Sequence, residues 1–264
     1  LGTSSSYELT VNGTLNNTGN VTANVNVNAK GNVTSDGNWA GTKSLIFNGT
    51  GNQTFTVSSA STYKDVKIEK SAGNLTTAGS GKATVTALGI DSAASSVVTF
   101  NNETDIPNIT LTKANKTIFN KETTIHGASI DSTNSGDIEF NGGGKVLVSV
   151  IEAGGTVKVT GSNKLSFPNG LTAKSPFNVT GVLETTDLEI DGSTFANSGT
   201  VTASGDVSSN STLSNSGTLS VGGDLTSSGT LKNEGTGTLS VTGDITSSGV
   251  STIFTNNGTT TAGS

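Results

Sequence analysis

The chain has 264 residues, 31% of them hydrophobic and 13% charged, with 35 Gly, 3 Pro, no Cys and a net charge of −6. Disorder usually brings high net charge, abundant Pro and few β-branched residues. Here Val, Ile and Thr fall in alternating runs, so ordered β structure is expected. Without Cys there is no disulfide framework, thiol nucleophile or thiolate metal site. All 14 basic residues are Lys; Arg, the usual residue for bidentate phosphate and base recognition, is absent, so nucleic-acid binding is not expected.

The start, LGTSSSYELT, lacks a charged n-region and an apolar h-region, as expected of a mature chain whose secretion signal has been removed. No apolar run reaches the length of a membrane span. KSLIFNGTGNQTFTV (43–57) then reads as strand, Gly turn, strand. YKDVKIEK (63–70), GKATVTALGI (81–90), SSVVTF (95–100) and NITLTKANKTIF (108–119) continue the pattern. So do GDIEFNGGGKVLVSVIEAGGTVKVTG (136–161) and FNVTGVLETTDLEIDG (177–192), and no segment predicts an amphipathic helix. Phe and Ile concentrate in this middle part, which predicts a thicker core there. A soft boundary is placed at 192, with irregular β structure over 1–192 and regular repeats over 193–264, or one continuous domain.

From Asn197 the repeat is explicit. Asn197, Asn215 and Asn233 open near copies at one constant interval, as in NSGTLSVGGDLTSSGTL. The third copy carries two extra residues, the TG of NEGTGTLSV, and an insertion of two keeps the in/out alternation of a strand. Aligned this way, Val201/Leu219/Leu239, Ala203/Val221/Val241 and Val207/Leu225/Ile245 form apolar rows. Leu213 and Leu231 begin a fourth, joined by Val250 after a one-residue slip. A unit this small cannot bury its apolar face alone, so the copies must stack. The predicted fold is an all-β parallel solenoid of about 18–20 residues per coil, roughly 14 coils for the whole chain.

FNGTGNQTF followed by KDVKIEKSAGNLTTAGS resembles the degenerate repeats of large secreted surface proteins of bacteria and archaea. The NSGTLSVGGDLTSSGTL copies resemble β-solenoids of the filamentous-haemagglutinin and autotransporter-passenger type, and an archaeal sheath or S-layer-type protein. The resemblance implies a parallel β-helix at a cell surface. It carries over no catalytic residue.

Asn-x-Thr occurs at Asn12, Asn16, Asn20, Asn32, Asn48, Asn52, Asn74, Asn102, Asn108, Asn115, Asn178, Asn210 and Asn257, and Asn-x-Ser nowhere, although Ser abounds in the same turns. A polar strand face does not account for that avoidance. Use as N-glycosylation acceptors does, since Asn-x-[ST] is the glycosylation signal of secreted chains.

Other chemistry meets a plainer reading. His126 is the only histidine, so a Ser-His-Asp triad would have to use it, with Asp131 nearby; no nucleophile motif accompanies it, and a surface or turn histidine is expected. Glu184, Asp187, Glu189 and Asp191 invite a polysaccharide-cleaving site, but the alternation of Asp187, Glu189 and Asp191 matches a solvated strand face. The Gly-Asp ladder of Asp206, Asp224 and Asp244, with Asp137 as a further member, can be read as a Ca²⁺ site or as turns; Asp beside Gly is first a turn residue. No cofactor is expected. The Asn197, Asn215, Asn233 row predicts a stacked amide ladder. The pairs Thr54/Thr56, Thr84/Thr86, Thr110/Thr112 and Thr200/Thr202 hint at flat ice-binding faces, yet they scatter along the chain.

The expected function is a structural, non-enzymatic extracellular protein. It would self-assemble through β-strand edges into a sheath, filament or S-layer-like coat, with copies of itself as partners. Neither YELTVNGTL nor STIFTNNGTTTAGS shows a charged or helical blocker. An adhesin stalk or passenger module that contacts surface glycans is the alternative, and a carbohydrate-active β-helix enzyme the second.

Overall fold

The computed structural model describes residues 7–127, 129–248 and 253–263. Every regular element among them is a β-strand, and the chain makes about 12 turns of a parallel β-solenoid. It divides into two compact units, Leu1–Gly127 with Asn134–Gly136, and Ala128–Thr133 with Asp137–Ser264.

In each unit a coil runs through three short strands separated by turns, and each strand pairs in parallel with its counterpart one coil on. In the first unit the second and third strands of a coil fuse into bent strands at Ser61–Ile68 and Ala83–Asp91. First strands stack as Leu15–Asn17, Val33–Ser35, Gln53–Val57, Leu75–Ala78, Val97–Phe100 and Lys116–Phe119. The step between coils is 18 residues from Asn17 to Ser35 but 23 from Asn74 to Val97. These longer coils are why the chain makes fewer turns than the number expected from a fixed period.

The second unit is more regular. Phe177, Phe195, Leu213 and Leu231 stand opposite one another at constant steps of 18. The two extra residues fall in the turn after Asn233, where Gly235 takes a positive φ of 57°, and Leu239 still faces Leu219. The rows Val201/Leu219/Leu239, Ala203/Val221/Val241 and Val207/Leu225/Ile245 are all in register. The fourth row differs from expectation. Val250 lies outside the described residues, and Phe254 is the residue opposite Leu231.

Alternation puts one set of side chains inside, where they form the core. Aromatic rings pair within it: Phe47–Phe55 and Phe55–Tyr63 lie 5.1 and 5.0 Å apart, and Phe100–Phe119 and Phe177–Phe195 are stacked at 5.0 and 5.5 Å. From Val201 onward the core is Val, Leu and Ala. The buried phenylalanines thus all fall between Phe47 and Phe195.

Candidate functional site

A strand of a parallel solenoid that pairs on one side only presents a backbone edge. Among the described residues, Leu15–Asn17 and Val21–Ala23 pair on one side only, with Val33–Ser35 and Trp39–Gly41. Ile253–Asn256 and Thr259–Ala262 likewise pair only with Thr230–Asn233 and Thr238–Val241. Large apolar side chains stand exposed beside these edges: Tyr7 and Leu9 at one, Ile253 and Phe254 at the other.

The two edges share a frame. Leu15-Asn-Asn17-Thr-Gly19-Asn-Val21-Thr-Ala23 aligns without a gap on Phe254-Thr-Asn256-Asn-Gly258-Thr-Thr260-Thr-Ala262. Both align with Leu213-Ser-Asn215-Ser-Gly217-Thr-Leu219-Ser-Val221, a coil stacked on both sides. Within that frame the third residue is the ladder asparagine. Asn197 Nδ2 donates to Asn215 Oδ1 at 2.8 Å, Asn215 Nδ2 to Asn233 Oδ1 at 2.8 Å, and Asn233 Nδ2 to Asn256 Oδ1 at 2.9 Å. The expected amide ladder is present and buried at Asn197, Asn215 and Asn233. Among the described residues, Asn256 Nδ2 has no acceptor.

A second ladder is acidic. The backbone N–H groups of Asp206, Asp224 and Asp244 donate to Oδ1 of Asp187, Asp206 and Asp224, at 2.9, 2.8 and 2.9 Å. Each carboxylate therefore braces the next coil. Asp187 heads this ladder; Asp137 does not belong to it, because its Oδ1 accepts from the Thr156 N–H and its Oδ2 from Lys158 Nζ. The Gly before Asp206, Asp224 and Asp244 is needed for the close approach: a Cβ at Gly223 would lie 2.0 Å from Asp206 Oδ1. Among the described residues, no group of three or more His, Asp or Glu side chains is placed to hold a metal ion.

The other three carboxylates of the acidic stretch are bound to neighbouring coils. Glu184 pairs with Lys164 Nζ at 2.9 Å, Glu189 accepts from Thr172 Oγ1 at 2.9 Å, and Asp191 accepts from Asn210 Nδ2 at 2.8 Å. His126 Nε2 lies 3.1 Å from Asp105 Oδ1, and Lys82 Nζ lies 3.7 Å from Asp105 Oδ2. The partner of His126 in this half-exposed surface cluster is thus Asp105, not the sequence neighbour Asp131.

One Thr pair is part of an array. Thr200/Thr202, Thr218/Ser220, Thr238/Ser240 and Thr259/Thr261 occupy one position in four successive coils. Thr54/Thr56, Thr84/Thr86 and Thr110/Thr112 lie on other strands.

Two features carry no obvious sequence signal. Lys70 is 1% exposed, yet no carboxylate among the described residues meets it; its ammonium donates to Gly49 O, Gly51 O and Gln53 Oε1 at 2.7, 2.9 and 2.8 Å. Gln53 Nε2 in turn donates to Ala29 O and Gly31 O. Extra residues at this corner leave carbonyls without ladder partners, and these two side chains supply the donors. Desolvation lowers the Lys70 pKa to about 8. Separately, a shallow groove of about 310 Å³ runs over the outer surface of Ala83–Asp91. Ala87 and Gly89 form its floor, between Asp65 and Lys67 on one neighbouring strand and Asn108 and Thr110 on the other.

Of the thirteen sequon asparagines, Asn102 is buried and Asn48 half-buried, while the others are exposed. No helix among the described residues is long and apolar enough to cross a membrane. Comparison with protein families, with curated proteins and with solved structures finds no match.

Proposed function

We propose that this chain is a structural, non-enzymatic extracellular building block that polymerises end to end through its strand edges into a glycosylated sheath, filament or S-layer-like coat. The observation that carries the reading is the shared frame of the two edges. Set Phe254-Thr-Asn256 against Leu15-Asn-Asn17 of a second copy, and the contact repeats the register between adjacent coils inside the second unit. Phe254 then covers Leu15, Asn256 Nδ2 meets Asn17 Oδ1, and Gly258 stacks on Gly19 across turns of equal length. Strand addition of this kind gains backbone hydrogen bonds, while side-chain match sets the register. A self-complementary pair of unlike surfaces propagates as an open filament.

Negative-stain microscopy with sedimentation velocity tests this. The protein is expected to form linear polymers as concentration rises. Phe254→Lys places a charge on an edge residue that is 44% exposed in the single chain; it should leave the circular dichroism unchanged and hold the protein as single particles. Single particles of the unaltered chain at every concentration and salt would defeat the reading.

The groove over Ala87 and Gly89 favours a second reading, an adhesin module that holds a polar saccharide chain. Glycan-array binding that is lost in Gly89→Lys supports it; no binding to any glycan speaks against it.

A further inference from the structure

The thirteen sequons are not spread evenly over the coil surface. Five of the six first strands described in the first unit follow a turn that holds a sequon asparagine: Asn12, three residues ahead of its strand, and Asn32, Asn52, Asn74 and Asn115, each directly ahead. All five are exposed. Asn52 and Asn74 stand opposite each other on adjacent coils, about 4.8 Å apart.

At three of these residues the hydrogen bonding separates the two atoms of the amide. Asn32 Oδ1 accepts from the Thr54 N–H at 2.8 Å, Asn52 Oδ1 from the Asn74 N–H at 3.0 Å, and Asn74 Oδ1 from the Val97 N–H at 2.9 Å. The oxygen is thus committed to bracing the next coil. Among the described residues, Nδ2 of Asn12, Asn32, Asn52 and Asn74 has no acceptor, so the nitrogen is left facing solvent. Their sequon hydroxyls, on Thr14, Thr34, Thr54 and Thr76, lie outside the core, whereas Thr117 of the Asn115 sequon is buried.

The contrast is Asn102. It is 3% exposed, and its Nδ2 donates to Gly79 O at 2.9 Å and Gly81 O at 3.0 Å. Both of its N–H groups are used inside the fold, so a sugar there is incompatible with the coil. Asn48, Asn108 and Asn210 also spend an Nδ2 hydrogen, on Asn28 Oδ1, Thr86 O and Asp191 Oδ1.

We infer that this corner of the first unit is a glycan-bearing ridge, with Asn12, Asn32, Asn52 and Asn74 as acceptors and Asn102 bare. The donor is a polyprenyl-diphosphate-linked oligosaccharide. Nδ2 forms a bond to the anomeric carbon, the carbon–oxygen bond to the diphosphate breaks, and Nδ2 loses one proton. The inference rests on the glycoprotein part of the proposed function and goes beyond it by dividing the sequons into used and unused sets. It gives Asn32, Asn52 and Asn74 two roles at once, an oxygen that ties coils together and a nitrogen that carries sugar outward.

Glycopeptide mass spectrometry on protein purified from its native cells tests it. The expected result is hexose-containing mass on the peptides that hold Asn12, Asn32, Asn52 and Asn74, and bare mass at Asn102. Glycan on Asn102, or glycans only at sequons away from this corner, overturns the inference and leaves the glycoprotein reading standing. No glycan at any sequon overturns both. In the same cells, the fourfold variant Asn12→Asp, Asn32→Asp, Asn52→Asp, Asn74→Asp keeps an acceptor oxygen at each position. It should lose those glycan masses while the deglycosylated protein melts within a few degrees of the deglycosylated parent.

Discussion

At the scale of single residues, Lys70 makes a sharp pH prediction. An unpaired ammonium in a carbonyl cage satisfies hydrogen bonds but loses its hydration, and desolvation lowers its pKa from 10.5 to about 8. Between those values the unfolded chain holds a proton that the folded chain has released, so stability rises with pH across that window. The gain is on the order of 3 kcal/mol. Tyr63, raised by burial, and Lys158, raised by its hydrogen bond to Asp137, act above pH 10 and in the opposite direction. Denaturant unfolding from pH 7 to 10 should show the rise, and Lys70→Met should flatten it; an equal slope in both proteins would refute the account of Lys70. Gly223 gives a second test. Gly223→Ala drives a Cβ onto Asp206 Oδ1 and should cost about 2 kcal/mol, whereas Ser220→Ala, on the outer surface of the same coil, should cost almost nothing. Lys70 was not legible beforehand: nothing in YKDVKIEKSAGN separates a buried lysine from its exposed neighbours Lys64 and Glu69. Its burial depends on carbonyls freed at Gly49 and Gly51, one coil earlier.

The strand and its turn are the elements that repeat, and their stacking was legible where spacing was constant. Asn197, Asn215 and Asn233 recur every 18 residues, so the apolar rows and the amide ladder followed from alternation alone. Between Asn52 and Val97 the step grows to 22 and then 23 residues, and no fixed period aligns those coils. The Asp ladder was half legible, because its head, Asp187, lacks the preceding Gly and sits in an acidic stretch that resembles a reactive cluster. Two variants test the element logic. Asn215→Ala removes an acceptor from Asn197 and a donor to Asn233, both buried, and should cost about 3 kcal/mol by chemical denaturation. Deleting Gly235 and Thr236 together restores the turn of the preceding copy and should leave the melting temperature nearly unchanged. Deleting Thr236 alone shifts Leu239 and Val241 toward the outer face and should lower it sharply.

For the whole molecule, what matters is what the edges meet. The frame shared by Leu15–Ala23 and Phe254–Ala262 was hidden in the sequence because the first is spelled LNNTGNVTA, with Asn at two outward positions. Leu15, Asn17, Val21 and Ala23 match Phe254, Asn256, Thr260 and Ala262 once the two edges are aligned without a gap. The carbohydrate ridge fits the same picture, since sugar along one corner of the coil leaves the stacking edges free. Cryo-electron microscopy of the assembled protein at strand resolution tests the end-to-end scheme most directly. It should show strands continuing across each junction at about 4.8 Å, with Phe254 over Leu15 and Asn256 over Asn17 of the next copy. Copies packed side by side through their outer faces, with both edges open to solvent, would contradict it.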